Sequence, residues 1–257
     1  MWRSLFCPFA HRTGPGSQHR EVLYHRQVPT QPSGLHRISA SILLRVRRCL
    51  GQGFKGAFFE RFYSAMPDDA WAYGRNAFHE ERFRFIVDAI PADSLGRVLE
   101  VGCAEGHMTL HLARRVRSVV ALDISEEAIR RARKQCAGMG NVECVRGDIR
   151  QAPPGGRFDA VICSDVLYYL SPRELRVVLR SMASAVRDGG SLVAAEFSLG
   201  AAKPPSRLDD VLRLCTQEPG WIRVSERVLG LWPNGDGVRM ALFRRVAHSG
   251  GVGELSS

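Results

Sequence analysis

A short apolar strand, Val98-Leu99-Glu100-Val101, runs into Gly102-Cys103-Ala104-Glu105-Gly106-His107, a turn punctuated by glycine and followed by a helical pattern. Residues of these types at this spacing suit the binding of a nucleotide cofactor. Glycine lets the backbone turn tightly and approach a ligand with no Cβ in the way, and the helix start beyond it offers unpaired N–H groups. A dinucleotide fingerprint requires G-x-G-x-x-G. Counting from Gly102, Ala104 and His107 occupy the other two glycine positions, so a nicotinamide or flavin reading is weak.

Acids recur at the ends of the following apolar strands. Ser118-Val119-Val120-Ala121-Leu122 ends at Asp123, about 20 residues after the first glycine, where a carboxylate can accept two hydrogen bonds from a ribose. Val142 to Arg146 is followed by Gly147-Asp148-Ile149, Phe158 to Cys163 by Ser164-Asp165, and Ser191 to Ala195 by Glu196. Each acid taken alone is a turn residue or helix cap. At the spacing of a βαβ repeat they form one ligand-binding rim.

The loop, with a carboxylate two residues before Gly102 and a further glycine four residues after it, resembles the first motif of class I S-adenosyl-L-methionine-dependent methyltransferases, E/D-x-G-x-G-x-G, with Ala104 replacing the middle glycine. The resemblance implies that Gly102 and Gly106 lie against the methionine part of the cofactor and that Glu100 holds the loop and the amino group. It also implies that Asp123 binds the ribose and Asp148 receives the adenine amino group. Cys103, Ile124, Ile149 and Ser164 are counted with the cofactor-contacting positions, Cys103 with no chemical role of its own. The implied fold is α/β, Rossmann-like, a seven-stranded sheet with helices on both faces whose last two strands are Trp221 to Val228 and Gly237 to Val246.

These strands need helices to cover them and a lid to close the rim. Phe58, Phe59, Phe62 and Tyr63 fall at helical spacing, and a second helix from Asn76 to Ile90 turns Phe78, Phe83, Phe85 and Ile86 toward the sheet. Between them Trp71 and Tyr73 lie in a loop rich in breakers and are read as a ligand lid. The run Phe59, Tyr63, Asp69, Trp71, Tyr73, Glu81, Ile90-Pro91, with the cofactor loop and Asp165-Val166-Leu167-Tyr168-Tyr169-Leu170, resembles the nodulation-type, NodS-like methyltransferases over residues 55 to 246. Members of that family methylate an amino group on a chito-oligosaccharide signal, and many relatives serve other small molecules. Glu196 stands where many relatives carry His.

The chain has 257 residues and a formal charge of +10. That length suffices for one α/β core plus a tail. No run of about 18 apolar residues appears, so no membrane span is expected. Seven cysteines without a C-x-x-C pair read as core thiols in a reducing, cytoplasmic setting, with no metal site expected. Eight arginines against Glu21 place most of the positive charge in residues 1–50, and 33 of the 36 basic residues are Arg, a bias that a GC-rich genome produces without selection for a phosphate groove. Ser164-Asp165-Val166-Leu167 also lacks the N/D/S-P-P-Y/F motif of nucleic-acid amine methyltransferases, so no nucleic-acid partner is expected. Residues 1–52 read as a basic, disordered tail, with an organelle transit peptide or a misassigned start as alternatives and an amphipathic stretch from Ile42 to Leu50. Residues 53–248 form the catalytic domain and 249–257 a flexible end.

The reading is transfer of a methyl group to a small molecule, an amine or hydroxyl of an oligosaccharide, amino sugar or secondary metabolite. Positioning and desolvation supply most of the acceleration, and a nearby base serves an ammonium acceptor. Asp165 and Glu196 are the candidates, with Tyr168 beside the acceptor and His79 as a lid alternative. A non-catalytic cofactor-binding protein and a nicotinamide-dependent oxidoreductase are the competing readings.

Overall fold

The computed structural model describes residues 20–24, 56–75, 77–198, 207–217, 220–230 and 237–246. Strands are β1 (Arg20–Tyr24), β2 (Arg97–Val101), β3 (Ser118–Asp123), β4 (Val142–Arg146), β5 (Phe158–Ser164), β6 (Val186–Ser198), β7 (Trp221–Gly230) and β8 (Gly237–Arg245). Helices are α1 (Gly56–Ala65), α2 (Ala77–Val87), α3 (His107–Ala113), α4 (Glu126–Gln135), α5 (Pro172–Ala185) and α6 (Arg207–Gln217).

The strands form one sheet in the order β1-β7-β8-β6-β5-β2-β3-β4. β8 runs antiparallel to both its neighbours, and every other pair is parallel. From β2 the chain steps to β3 and β4 on one side, then returns to β5 and β6 on the other. That reversal opens a crevice above the carboxyl ends of β2 and β5, where ligands bind in open α/β sheets. The seven expected strands are all present. An eighth, β1, comes from the stretch read as a disordered tail and pairs through its backbone with the edge of β7. The rest of that tail, including Ile42 to Leu50, and residues 249–257 lie outside the described residues.

Alternation along the central strands divides the core. Val98, Val119, Ala121 and Ile162 pack toward α1 to α4, whereas Leu99, Val120, Leu122 and Val161 pack toward α5 and α6. A strand buried on both faces needs an almost continuous apolar run, and this explains why β2, β3 and β5 read so. Helices α4 and α5 start where capping chemistry dictates. Ser125 accepts the Ala128 N–H at the head of α4, and Ser171 and Glu174 form a reciprocal capping box behind Pro172 at the head of α5, each cap worth about 1 kcal/mol. Among the described residues no helix is long and apolar enough to cross a membrane.

Candidate active site

The crevice is a cleft of about 990 Å3, a volume that includes the open solvent at its mouth. Its floor is Val101 at the end of β2 with Gly102 and Ala104 after it, Leu122 and Asp123 of β3 with Ile124 after them, and Gly147, Asp148 and Ile149 after β4. Ser164, Asp165, Val166, Tyr168 and Tyr169 from the end of β5 close one side, and Phe59, Tyr63, Trp71, Tyr73, His79 and Arg82 form the roof.

Gly102 has φ +76°, and a Cβ there would lie 2.2 Å from Val166 Cγ2. Ala104 also sits in the left-handed region, at φ 51°, a position that costs an L-residue about 1 kcal/mol. Its N–H donates to Asp123 Oδ2 at 2.9 Å, while Asp123 Oδ1 accepts the Ser125 N–H at 3.0 Å. Asp123 thus pins the cofactor loop to its own turn. Burial pushes its pKa up to about 6, against the pull of these backbone N–H groups.

Asp148 lines the cleft in the grip of Arg150, whose Nε lies 3.0 Å from Oδ1 and whose Nη2 lies 2.6 Å from Oδ2. Burial opposes ionisation there, but the guanidinium holds the carboxyl below the usual range. Arg150 in turn reaches Glu174 Oε1 at 2.9 Å.

In the other half of the cleft Asp165, at φ 57°, accepts the Phe197 N–H on Oδ1 at 2.7 Å and faces Arg82 Nη2 at 2.8 Å through Oδ2. Arg82 is buried, with its guanidinium over the rings of Tyr73 and Phe83 at 5.5 and 5.1 Å. Burial pushes the Tyr73 phenol up to about 12, with Arg82 opposing, so Tyr73 keeps its proton. His79 is buried with its ring 4.8 Å from that of Tyr73. The Tyr168 and Tyr169 hydroxyls lie 3.3 Å apart. In the roof, Trp71 donates its indole N–H to the Tyr63 hydroxyl at 2.8 Å.

The structure therefore brings Trp71, Tyr73, Gly102, Asp123, Ile124, Asp148, Ile149 and Ser164 to one cleft with Asp165, Tyr168 and His79. Four expected site residues do not line it. Glu100 is sealed under α3, accepts the Thr109 hydroxyl at 2.6 Å, and is pushed by burial up to about 8, so it enters as a neutral acid. Cys103 is buried in the loop. Gly106, at φ +85°, heads α3, where a Cβ would come within 3.2 Å of the Ala132 Cα and the Cys136 sulfur, so its glycine serves helix packing. Glu196 turns away and accepts the Leu208 N–H at 3.1 Å near the start of α6, which removes it from the proton acceptors the cleft offers. Sequence reasoning missed Arg82, hidden in a charged Glu80-Glu81-Arg82 run with no local signal. It also assigned Phe59 and Tyr63 to the core alone.

Residues 98–190 match the family described as a methyltransferase domain (Methyltransf_25). The chain is 30% identical to nodulation protein S of Rhizobium tropici over 128 residues, 49% of this chain and 54% of that protein. It is 28% identical to nodulation protein S of Sinorhizobium fredii over 49% of this chain and 59% of that one. The chain thus spans little more than half the length of these relatives. Among solved structures, the N-methyltransferase NodS of Bradyrhizobium japonicum WM9, in complex with S-adenosyl-L-homocysteine, superposes with a TM-score of 0.61 at 24% identity, covering 78% of this chain and 98% of that one. Magnesium protoporphyrin IX methyltransferase of Synechocystis PCC 6803, with bound S-adenosyl-L-methionine, does so with a TM-score of 0.60 at 20% identity over 74% and 96%.

Proposed function

We propose that this chain, which has the class I methyltransferase fold in its NodS-like form and a methyltransferase domain at residues 98–190, transfers a methyl group from S-adenosyl-L-methionine to the amine of a small molecule. The observation that carries the reading is the meeting of Gly102, Asp123, Asp148 and Asp165, from four strand ends, in one cleft roofed by aromatic rings.

The residues present fit the cofactor. Gly102 presents bare backbone to the cleft at φ +76°, where Val166 leaves no room for a Cβ, Asp123 offers carboxylate oxygens at the end of β3, and Asp148 and Ile149 follow β4 for the adenine. When bound, the cofactor supplies a methyl group already activated on a sulfonium. The protein's part is to hold the acceptor lone pair in line and to exclude water. Trp71, Tyr73, Phe59 and Tyr169 do the second with apolar surface.

An ammonium acceptor must lose its proton before its lone pair is available. Asp165 is committed to Arg82 and the Phe197 N–H, so it orients rather than abstracts. His79 takes the proton, and Tyr168 binds the acceptor beside it. The acceptor class is an amino sugar, an oligosaccharide amine or a secondary-metabolite amine. The likeness to nodulation protein S and to a NodS N-methyltransferase supports nitrogen as the atom methylated.

Calorimetric titration with S-adenosyl-L-methionine and S-adenosyl-L-homocysteine tests this, with Asp123→Ala as control. Micromolar binding that the variant loses is expected, followed by methylation of an amine in a screen of amino sugars and natural-product amines. Absence of binding to either ligand overturns the reading.

A further inference from the structure

The loop of residues 66–75 carries Trp71 and Tyr73 over the cleft, and its backbone is held by two side chains that lie outside the cleft lining. Glu105, in the cofactor loop and 3% exposed, takes the Asp69 N–H on Oε1 at 3.0 Å and the Ala70 N–H on Oε2 at 2.8 Å. Its Oε1 also meets Arg131 Nη1 at 2.7 Å. Arg131, on α4 and 8% exposed, uses all five of its donors, four of them toward Glu105 and the chain at and after the end of α1. Nε reaches Glu127 at 2.7 Å, Nη1 the Pro67 carbonyl at 2.9 Å as well as Glu105, and Nη2 the Tyr63 and Met66 carbonyls at 2.6 and 2.8 Å. The guanidinium thus satisfies the carbonyls around the end of α1, where a cation is favoured, and the carboxylate satisfies the N–H groups that follow.

We propose that Glu105 and Arg131 are positioning residues that latch the 66–75 loop to the cofactor loop, so that Trp71 and Tyr73 stay over the cleft. The pair touches neither acceptor nor reacting atoms. It acts by preorganising the roof, which removes from binding the cost of ordering that loop. Because Glu105 lies next to Ala104, whose N–H is held by Asp123, a shift of the cofactor loop reaches the roof through one carboxylate. The inference rests on the methyltransferase reading for its ligand, but the latch itself has a readout that needs none.

The experiment compares wild type, Glu105→Gln, Arg131→Lys, Trp71→Ala and Glu105→Gln/Trp71→Ala. Glu105→Gln keeps the shape of the side chain but turns one acceptor into a donor facing donors, and Arg131→Lys keeps the charge without the fork. Each single variant is expected to weaken S-adenosyl-L-homocysteine binding by about tenfold, and the double variant by little more than Trp71→Ala alone, because the latch acts through the roof it holds. In the ligand-free protein, chymotrypsin is expected to cut after Trp71 and Tyr73 faster in Glu105→Gln and Arg131→Lys than in wild type. Unchanged affinity together with unchanged protection overturns the latch, as does a double variant whose loss is the product of the two single losses. If wild type binds no cofactor, the methyltransferase reading falls, and the chymotrypsin comparison still decides the latch.

Discussion

Arg82 Nη2 stands 2.8 Å from Asp165 Oδ2, with side chains 5% and 13% exposed, so the acid at the end of β5 meets the acceptor half of the cleft already neutralised. A buried pair loses several kcal/mol when one partner is removed, because the other is left as an uncompensated charge. Asp165→Asn is therefore expected to lower stability by about 3 kcal/mol as well as turnover, and Arg82→Leu/Asp165→Asn to recover part of the stability without the turnover. Thermal unfolding of the three proteins checks this, and a single variant that melts with wild type removes the pair from the account.

On the proposed ribose contact, Asp123 is expected to make cofactor affinity depend on pH. Its folded pKa is raised to about 6, above the unfolded value near 3.8, so the ligand-free fold gains from protonating it and this contribution is lost as pH rises from about 4 through 6. Ribose hydroxyls need the ionised form, so affinity runs the other way and falls about tenfold per pH unit below 6. Calorimetry at pH 5, 6 and 7.5 should show that slope in wild type and none in Asp123→Asn.

Glu100 is raised from 4.5 to about 8 by burial, so its contribution to stability is present below pH 4.5 and is lost as pH rises through 8. Glutamine mimics the neutral acid. Glu100→Gln is expected to bind S-adenosyl-L-homocysteine as wild type does and to keep its melting temperature between pH 7 and 9, where wild type falls. A large loss of affinity would restore the amino-group role that the motif suggests.

Gly102→Ala adds a Cβ 2.2 Å from Val166 Cγ2 at φ +76°. The expected result is loss of cofactor binding and about 2 kcal/mol of stability. Gly102→Ala/Val166→Ala should regain some of the stability, since it removes the collision and leaves only the backbone strain.

His79→Gln tests the proton acceptor. Turnover of an amine is expected to fall by about 100-fold with cofactor affinity unchanged. Turnover equal to that of wild type assigns the proton to solvent.

Much of the cleft floor was legible in the chain because its signals are local. A glycine that follows β2, an acid that ends β3 and an acid after β4 are each set by a few neighbouring residues, and the burial of β2, β3 and β5 on both faces follows from their apolar runs. The acceptor half was less legible. Glu196 lies two residues inside the end of β6 and Asp165 just past β5, but one caps toward α6 and the other opens on the cleft, a difference decided by where the next element packs. His79, read as a lid alternative, is buried because Tyr73 and Phe83 cover it.

By itself the sequence determined the βαβ order, the turn after β2 and the residues that rim the carboxyl ends of the strands, because these depend on short-range periodicity, chirality and turn chemistry. The tertiary structure alone decided that Arg82 neutralises Asp165, that Arg150 holds Asp148, that Glu105 and Arg131 seize the roof, and that β1 extends the sheet. These contacts join groups far apart in the chain. A charge finds its partner, and an open strand edge its neighbour, only when the packed core has brought the elements together.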